Sequence, residues 1–157
     1  MIRFKQLTMK NFMSYGNKPT VIDLDRHETV LIRAQNRDVG EDGMSANGAG
    51  KSNSMQAVCY ALYGEGVNKL RQDDMINFVN EKKMEVTLDF EINGDAYQIR
   101  RGRKPNFLTF TKGKEDLTRD SMKNTDQSIT ETIGMSYDTF LMSFLMSNSV
   151  TPFMAKK

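Results

Sequence analysis

The chain has 157 residues, 38% of them apolar and 27% charged, with 22 lysines and arginines against 20 acids and a formal net charge of +2. That length suits one domain with a sizeable core, and the composition is that of a globular chain rather than a disordered or fibrous one. A net charge so near zero means that any nucleic-acid contact must come from a local patch. The lone cysteine excludes an internal disulfide.

No apolar run approaches the ~20 residues of a membrane span. The opening Met1-Ile2-Arg3-Phe4-Lys5 alternates like a strand and has no signal-peptide block, so the expectation is a cytoplasmic protein with no membrane partner. Ile2–Phe12 alternates imperfectly through Ile2, Phe4, Leu7 and Met9, which predicts a strand with a bulge. Gly16, Asn17 and Pro19 predict a turn, and Thr20–Leu24 a second strand. Asp25–His27 reads as another turn, with His27 solvated. Glu28–Ala34 reads as a third strand, its Thr29–Ala34 part buried. Gln35–Met44 is polar and contains glycine. It reads as an exposed loop, either a tolerated insertion or a flap over the base or ribose of a nucleotide.

Ser45-Ala46-Asn47-Gly48-Ala49-Gly50-Lys51-Ser52 comes next. Gly48 and Gly50 let the backbone curl and point several N–H groups at one anion. Lys51 adds a point charge for β- and γ-phosphates, and Ser52 a hydroxyl for Mg²⁺ at the start of a helix whose dipole favours phosphate. The run matches G-x-x-x-x-G-K-[ST] except that Ser45 replaces the first glycine. Met55, Val58, Cys59 and Leu62 follow at helical spacing and predict an amphipathic helix over Ser52–Tyr63, ended by Gly64. Cys59 reads as a small buried hydrophobe.

Gly64–Asp73 reads as irregular and Asp74–Asn80 as a short helical turn. Glu85–Ile92 alternates strictly, with Val86, Leu88, Phe90 and Ile92 on one face. Asn93-Gly94 signals a hairpin, returned by Ala96–Arg101 and continued by Phe107–Thr111. A Walker B acid would follow a buried apolar run, whereas Asp89 alternates out of one and no other acid follows such a run. Between Ala96 and Lys114 stand Arg100, Arg101, Arg103, Lys104, Lys112 and Lys114 with no acid. The cluster reads as a solvated face or as a track for a DNA backbone. Asp120 or Ser121 caps a helix with Met122, Ile129 and Ile133 inward and Gly134 at its end. Ser136 caps another, with Tyr137, Phe140, Leu141, Phe144 and Leu145 as an apolar stripe.

Taken in order, these elements resemble the N-terminal lobe of an ABC-type ATPase head. More narrowly they resemble the SMC-like ATPases of double-strand-break repair, the Rad-fifty/SbcC family, including its phage branch in the T-even-type recombination endonucleases. The resemblance is carried by Met9-Lys10-Asn11-Phe12-Met13-Ser14, Asn47–Ser52, Ala57 with Ala61-Leu62-Tyr63-Gly64, and Phe140–Asn148. Arg101-Gly102, Lys104-Pro105-Asn106, Gly134–Tyr137 and Thr151–Met154 tie it to the phage branch. It implies an α/β P-loop NTPase fold, a head lobe with a mixed sheet, an antiparallel meander and flanking helices. Residues 1–157 would form one domain, with the P-loop at 45–52, a basic hairpin at 85–112 and a Q-loop-like end at 140–150.

The resemblance also implies ATP and Mg²⁺ as cofactors. Asn47, Gly48, Ala49, Gly50 and Lys51 would hold the phosphates, Ser52 the Mg²⁺, and Asn53 would stand beside the α-phosphate. Asn148 falls where the family has its catalytic, Mg²⁺-sensing Q-loop glutamine, one methylene shorter. Arg100, Arg101, Arg103 and Lys104 are the candidate DNA contacts. The implied partners are a second head lobe or second ATPase subunit, a nuclease subunit and double-stranded DNA. Met13 stands where many relatives carry arginine. In this family the signature motif, Walker B, D-loop and switch histidine lie in a second lobe beyond a coiled coil. The chain therefore reads as an amino-terminal head lobe that alone hydrolyses ATP negligibly, with Phe140–Met154 facing the second lobe. The other readings are a short non-catalytic module that docks on an ATPase or DNA, and a small kinase, which would need a Walker B strand and an arginine-rich lid.

Overall fold

The structure, a computed structural model, describes residues 1–25, 50–67 and 70–144, with Lys51 and Phe144 described by backbone alone. The predicted strand at Glu28–Ala34, the loop at Gln35–Met44, His27 and everything from Leu145 onward lie outside the described residues. Within them the sheet is six-stranded, in the order β2-β1-β3-β4-β5-β6. Its strands are β1 (Ile2–Lys10), β2 (Thr20–Asp23), β3 (Met84–Ile92), β4 (Asp95–Arg103), β5 (Phe107–Lys112) and β6 (Glu115–Asp116). Every pairing is antiparallel, so any parallel pair of a mixed sheet involves residues outside those described.

The alternation of β3 sets the inner face. Met84, Val86, Leu88 and Phe90 are buried there, while Glu85, Thr87 and Asp89 point to the other side, where Gln98 donates to Asp89 at 2.7 Å. Asn93 and Gly94 both take positive φ, 53° and 94°, the geometry of a tight two-residue hairpin turn. The bulge expected in β1 falls between Phe4 and Gln6. The two-residue strand β6 went unforeseen.

Among the described residues three α-helices cover the inner face: α1 (Lys51–Tyr63), α2 (Met122–Ile133) and α3 (Tyr137–Phe144). Helix α1 touches β1, β3 and β4 on one side and α2 on another. It is therefore not the one-sided amphipathic helix its spacing predicts. Ala57 through Leu62 are all buried, whereas Met55, assigned to the apolar face, is 39% exposed. In α2 Thr125 and Ile129 are buried and Ile133 packs against the core, as expected for the two isoleucines, whereas Met122 is 40% exposed. Ser121 caps α2, accepting from the Asn124 amide at 3.1 Å, and Ser136 accepts from the Thr139 amide at 3.2 Å at the start of α3. Phe140 and Leu141 belong to this lobe's own core, with the Phe140 ring 6.3 Å from that of Phe4 and 5.6 Å from that of Tyr63. This corrects the expectation that the stripe faces another lobe, at least for those two residues. No helix among the described residues is long and apolar enough to cross a membrane.

Burial of α1 has a titratable consequence. It pushes the Cys59 thiol up from 9.0 to about 12, and the Tyr60 and Tyr63 hydroxyls up from 10.0 to about 12. The unfolded chain therefore loses these protons first as the pH rises. Stability is intact below pH 9 and falls across the window from 9.0 to about 12, steepening above 10.0. Fully buried Cys59 and Tyr60 should each remove about 1.4 kcal/mol per pH unit once ionised in the unfolded state, and half-buried Tyr63 less. Urea melts at pH 8, 9.5 and 10.5 check this; a flat series would contradict it.

Candidate nucleotide-binding site

The described part of the cradle is its last turn. Gly50 sits at φ 86°, ψ 7°, a left-handed conformation, and opens α1. A Cβ there would lie 2.4 Å from Ser14 Oγ. Among the described residues no side chain caps the helix, and its first turn holds no acid. The Asn53 amide turns back to the Gly50 carbonyl at 3.0 Å, which leaves the Lys51 and Ser52 amides for an outside acceptor, with the positive end of the helix behind them. This donor set fits a phosphate, and the exposed Ser52 beside it fits the magnesium ligand of such a site.

The turn after β1 braces this end. Tyr15 Oη donates to the Gly50 carbonyl at 3.0 Å, and Asn53 Nδ2 donates to Ser14 Oγ at 2.9 Å. Asn53, which the resemblance places beside the α-phosphate, has its side-chain N–H engaged by Ser14. Nothing in the sequence singled out Tyr15, because its partner lies 35 positions away.

The other end of α1 is held by β4. Along β4, Tyr97, Ile99, Arg101 and Arg103 share the inner face. Arg101 is 1% exposed. Its Nε and Nη2 both donate to the Ala61 carbonyl at 3.2 Å, and Nη2 also meets Asp126 Oδ1 at 2.5 Å. Its guanidinium carbon stands 5.7 Å from the centre of the Tyr60 ring. A cation at that point satisfies a carbonyl in the last turn of α1 and suits the helix dipole. Arg103 pairs with Asp73 at 2.8 Å and donates to Gln72 at 3.2 Å, and Gln72 in turn donates to the Gly64 carbonyl at 2.9 Å. The Asp73 carboxyl is held below its usual range by the hydrogen bond from Arg103.

These contacts correct the picture of one solvated basic patch. Arg101 is sealed inside and is withdrawn from the candidate DNA contacts. Arg100 is exposed but paired with Glu85 at 2.7 Å and set over the Phe107 ring at 5.8 Å. Lys112 pairs with Asp95 at 2.7 Å. Lys104 is exposed in the turn before β5. Asn47, Gly48, Ala49 and Asn148 lie outside the described residues. Gly50, Lys51, Ser52 and Asn53 are contiguous at the helix start.

Residues 6–156 match the AAA domain family AAA_23. Exonuclease subunit 2 of Escherichia phage RB69 is 29% identical over 98% of this chain and 26% of its own length. The DNA double-strand break repair Rad50 ATPase of Archaeoglobus fulgidus is 34% identical over 77% of this chain and 12% of its own length. The chain thus spans about a quarter or less of these relatives. A structure solved in a study of ATP-driven dimerization and DNA-stimulated activation of SMC ATPases superposes with a TM-score of 0.62, at 22% identity, over 99% of this chain and 92% of that one. The α/β fold is accordingly that of an SMC-type ATPase head. With nearly its whole length matched, the chain belongs to the AAA domain family and has phage exonuclease subunit 2 and the Rad50 ATPases among its homologues.

Proposed function

We propose that this chain is the ATP-binding amino-terminal lobe of an SMC-like ATPase that works with a nuclease subunit on double-stranded DNA. The observation that carries the reading is the start of α1: a left-handed glycine and uncapped amides, followed by Lys51 and Ser52, in a fold like that of SMC heads. Asn47 to Lys51 cradle the phosphates, Ser52 ligates Mg²⁺, and the cofactor supplies the triphosphate whose cleavage drives the cycle. Asn148 takes the place of the Q-loop glutamine and orients water, an amide being able to donate and accept. Residues 1–157 act as one lobe, completed by a second head that closes over the nucleotide. That closure governs the nuclease and access to DNA. Arg100 and Lys104, both exposed, are the DNA contacts that fit this arrangement, since exposed ion pairs such as Arg100–Glu85 exchange partners at little cost; Arg103 faces the other side of the sheet, held by Asp73 and Gln72.

Calorimetric titration with ATP·Mg²⁺ tests the reading. Saturable one-site binding is expected, weaker when Mg²⁺ is omitted, with no multiple turnover by the chain alone. Absence of binding at millimolar nucleotide would overturn it.

A further inference from the structure

We propose that Tyr15 and Ser14 are positioning residues of the nucleotide cradle: they aim the backbone N–H of Lys51 at the bound phosphate. The inference rests on the reading of this helix start as an ATP site. It begins from the Gly50 carbonyl, which accepts from the Asn53 amide at 3.0 Å and from Tyr15 Oη at 3.0 Å. Both lone pairs of that oxygen are thus in use. The Gly50–Lys51 peptide is trans. In a trans peptide the C=O and the following N–H lie in one plane and point in opposite directions. Whatever fixes the Gly50 oxygen therefore fixes where the Lys51 N–H points, which is away from Tyr15 and out of the helix start.

Ser14 acts on the same turn from the side. Its Oγ accepts from Asn53 Nδ2 at 2.9 Å and fills the place a side chain at position 50 would need, 2.4 Å from a Cβ there. The two residues are also well anchored. The Tyr15 amide donates to the Phe12 carbonyl at 2.8 Å, the Met13 amide to Met75 at 2.7 Å, and Asn77 Nδ2 to the Met13 carbonyl at 2.8 Å. A turn tied to the end of β1 and to the 73–75 turn carries the hydroxyl to Gly50 already oriented, so little ordering is left for nucleotide binding to supply.

Tyr15→Phe keeps the ring and removes only the donor. ATP·Mg²⁺ binding should weaken by about three- to tenfold, the size of one net neutral hydrogen bond, with Tm lowered by about 4 °C at most. In the nucleotide-free chain the Asn53 amide, which donates to the Gly50 carbonyl, should exchange with deuterium faster, while those of Ala57–Leu62 should not change. Ser14→Ala, the second arm, should move both readouts the same way and less far. If the wild-type chain binds ATP·Mg²⁺ and Tyr15→Phe binds it equally well with unchanged exchange, this inference alone falls. If the wild-type chain binds none, the cradle reading falls and takes this one with it.

Discussion

Arg101→Ala should cost about 2–4 kcal/mol of folding stability, because it strips the buried Ala61 carbonyl of its donors and empties a buried site, while Asp126, more than a third exposed, can turn to water. Several losses combine. The Ala61 carbonyl loses two donors near the end of α1, Asp126 loses its cation, and the space beside Tyr60 is emptied. A domain of this size has about 5–15 kcal/mol in all, so the variant should sit near its unfolding threshold at 37 °C. Arg101→Met, which keeps much of the volume and drops the charge, should recover part of the loss, more so with Asp126→Leu. Arg100→Ala is the internal control. Its pair with Glu85 is solvent-exposed and should contribute less than about 1 kcal/mol. Urea denaturation of the wild type and these four variants decides the matter. An Arg101→Ala midpoint equal to that of Arg100→Ala would mean that the buried guanidinium does not hold α1.

Lys51→Ala should weaken ATP·Mg²⁺ binding by about ten- to 150-fold, the equivalent of a charge-assisted hydrogen bond worth about 1.5–3 kcal/mol. The sign of its effect on the empty protein is opposite. Lys51 is the first residue of α1, where a positive charge opposes the helix dipole and no acid of the first turn offsets it. Alanine removes that conflict and is the best helix former. The nucleotide-free variant should therefore be as stable as the wild type or more stable by up to about 1 kcal/mol. Titration calorimetry and a urea melt read the two effects separately. Retained affinity would undo the proposed role of the ammonium group, and a destabilised empty variant would mean that Lys51 is structural.

Local chemistry was readable in the sequence. Gly64 at the end of α1, Asn93-Gly94 in the hairpin, the alternation of β3 and the serine caps of α2 and α3 are each set by residues within a few positions of one another. What was not readable depends on distant neighbours. The run from Ala96 to Lys114 contains no acid, so its arginines read as free. Glu85, Asp73 and Asp126 reach them from β3, the 73–75 turn and α2. One signal was available: Arg101 lies two residues from Ile99 and so shares its inward face. The breadth of α1 burial could not be seen in its spacing, because a helix packed on a sheet and also on α2 has more than one apolar face. Of the candidate site, its position and chemistry came from Gly50-Lys51-Ser52. The brace from Ser14 and Tyr15 came only with the fold.

The sheet order has a kinetic cost. Strands β3, β4 and β5 are joined by short turns and can zip up from local pairs. β1 joins them only by matching Ile2 with Ile92 and Lys10 with Glu85, which closes loops of about 75 to 90 residues. Until it does, the sheet lacks the strand that carries Leu7 and Met9, and α1 has no complete surface to bury against. Docking of the first strand should therefore be the slow step of folding, after the local pairs of the meander have formed.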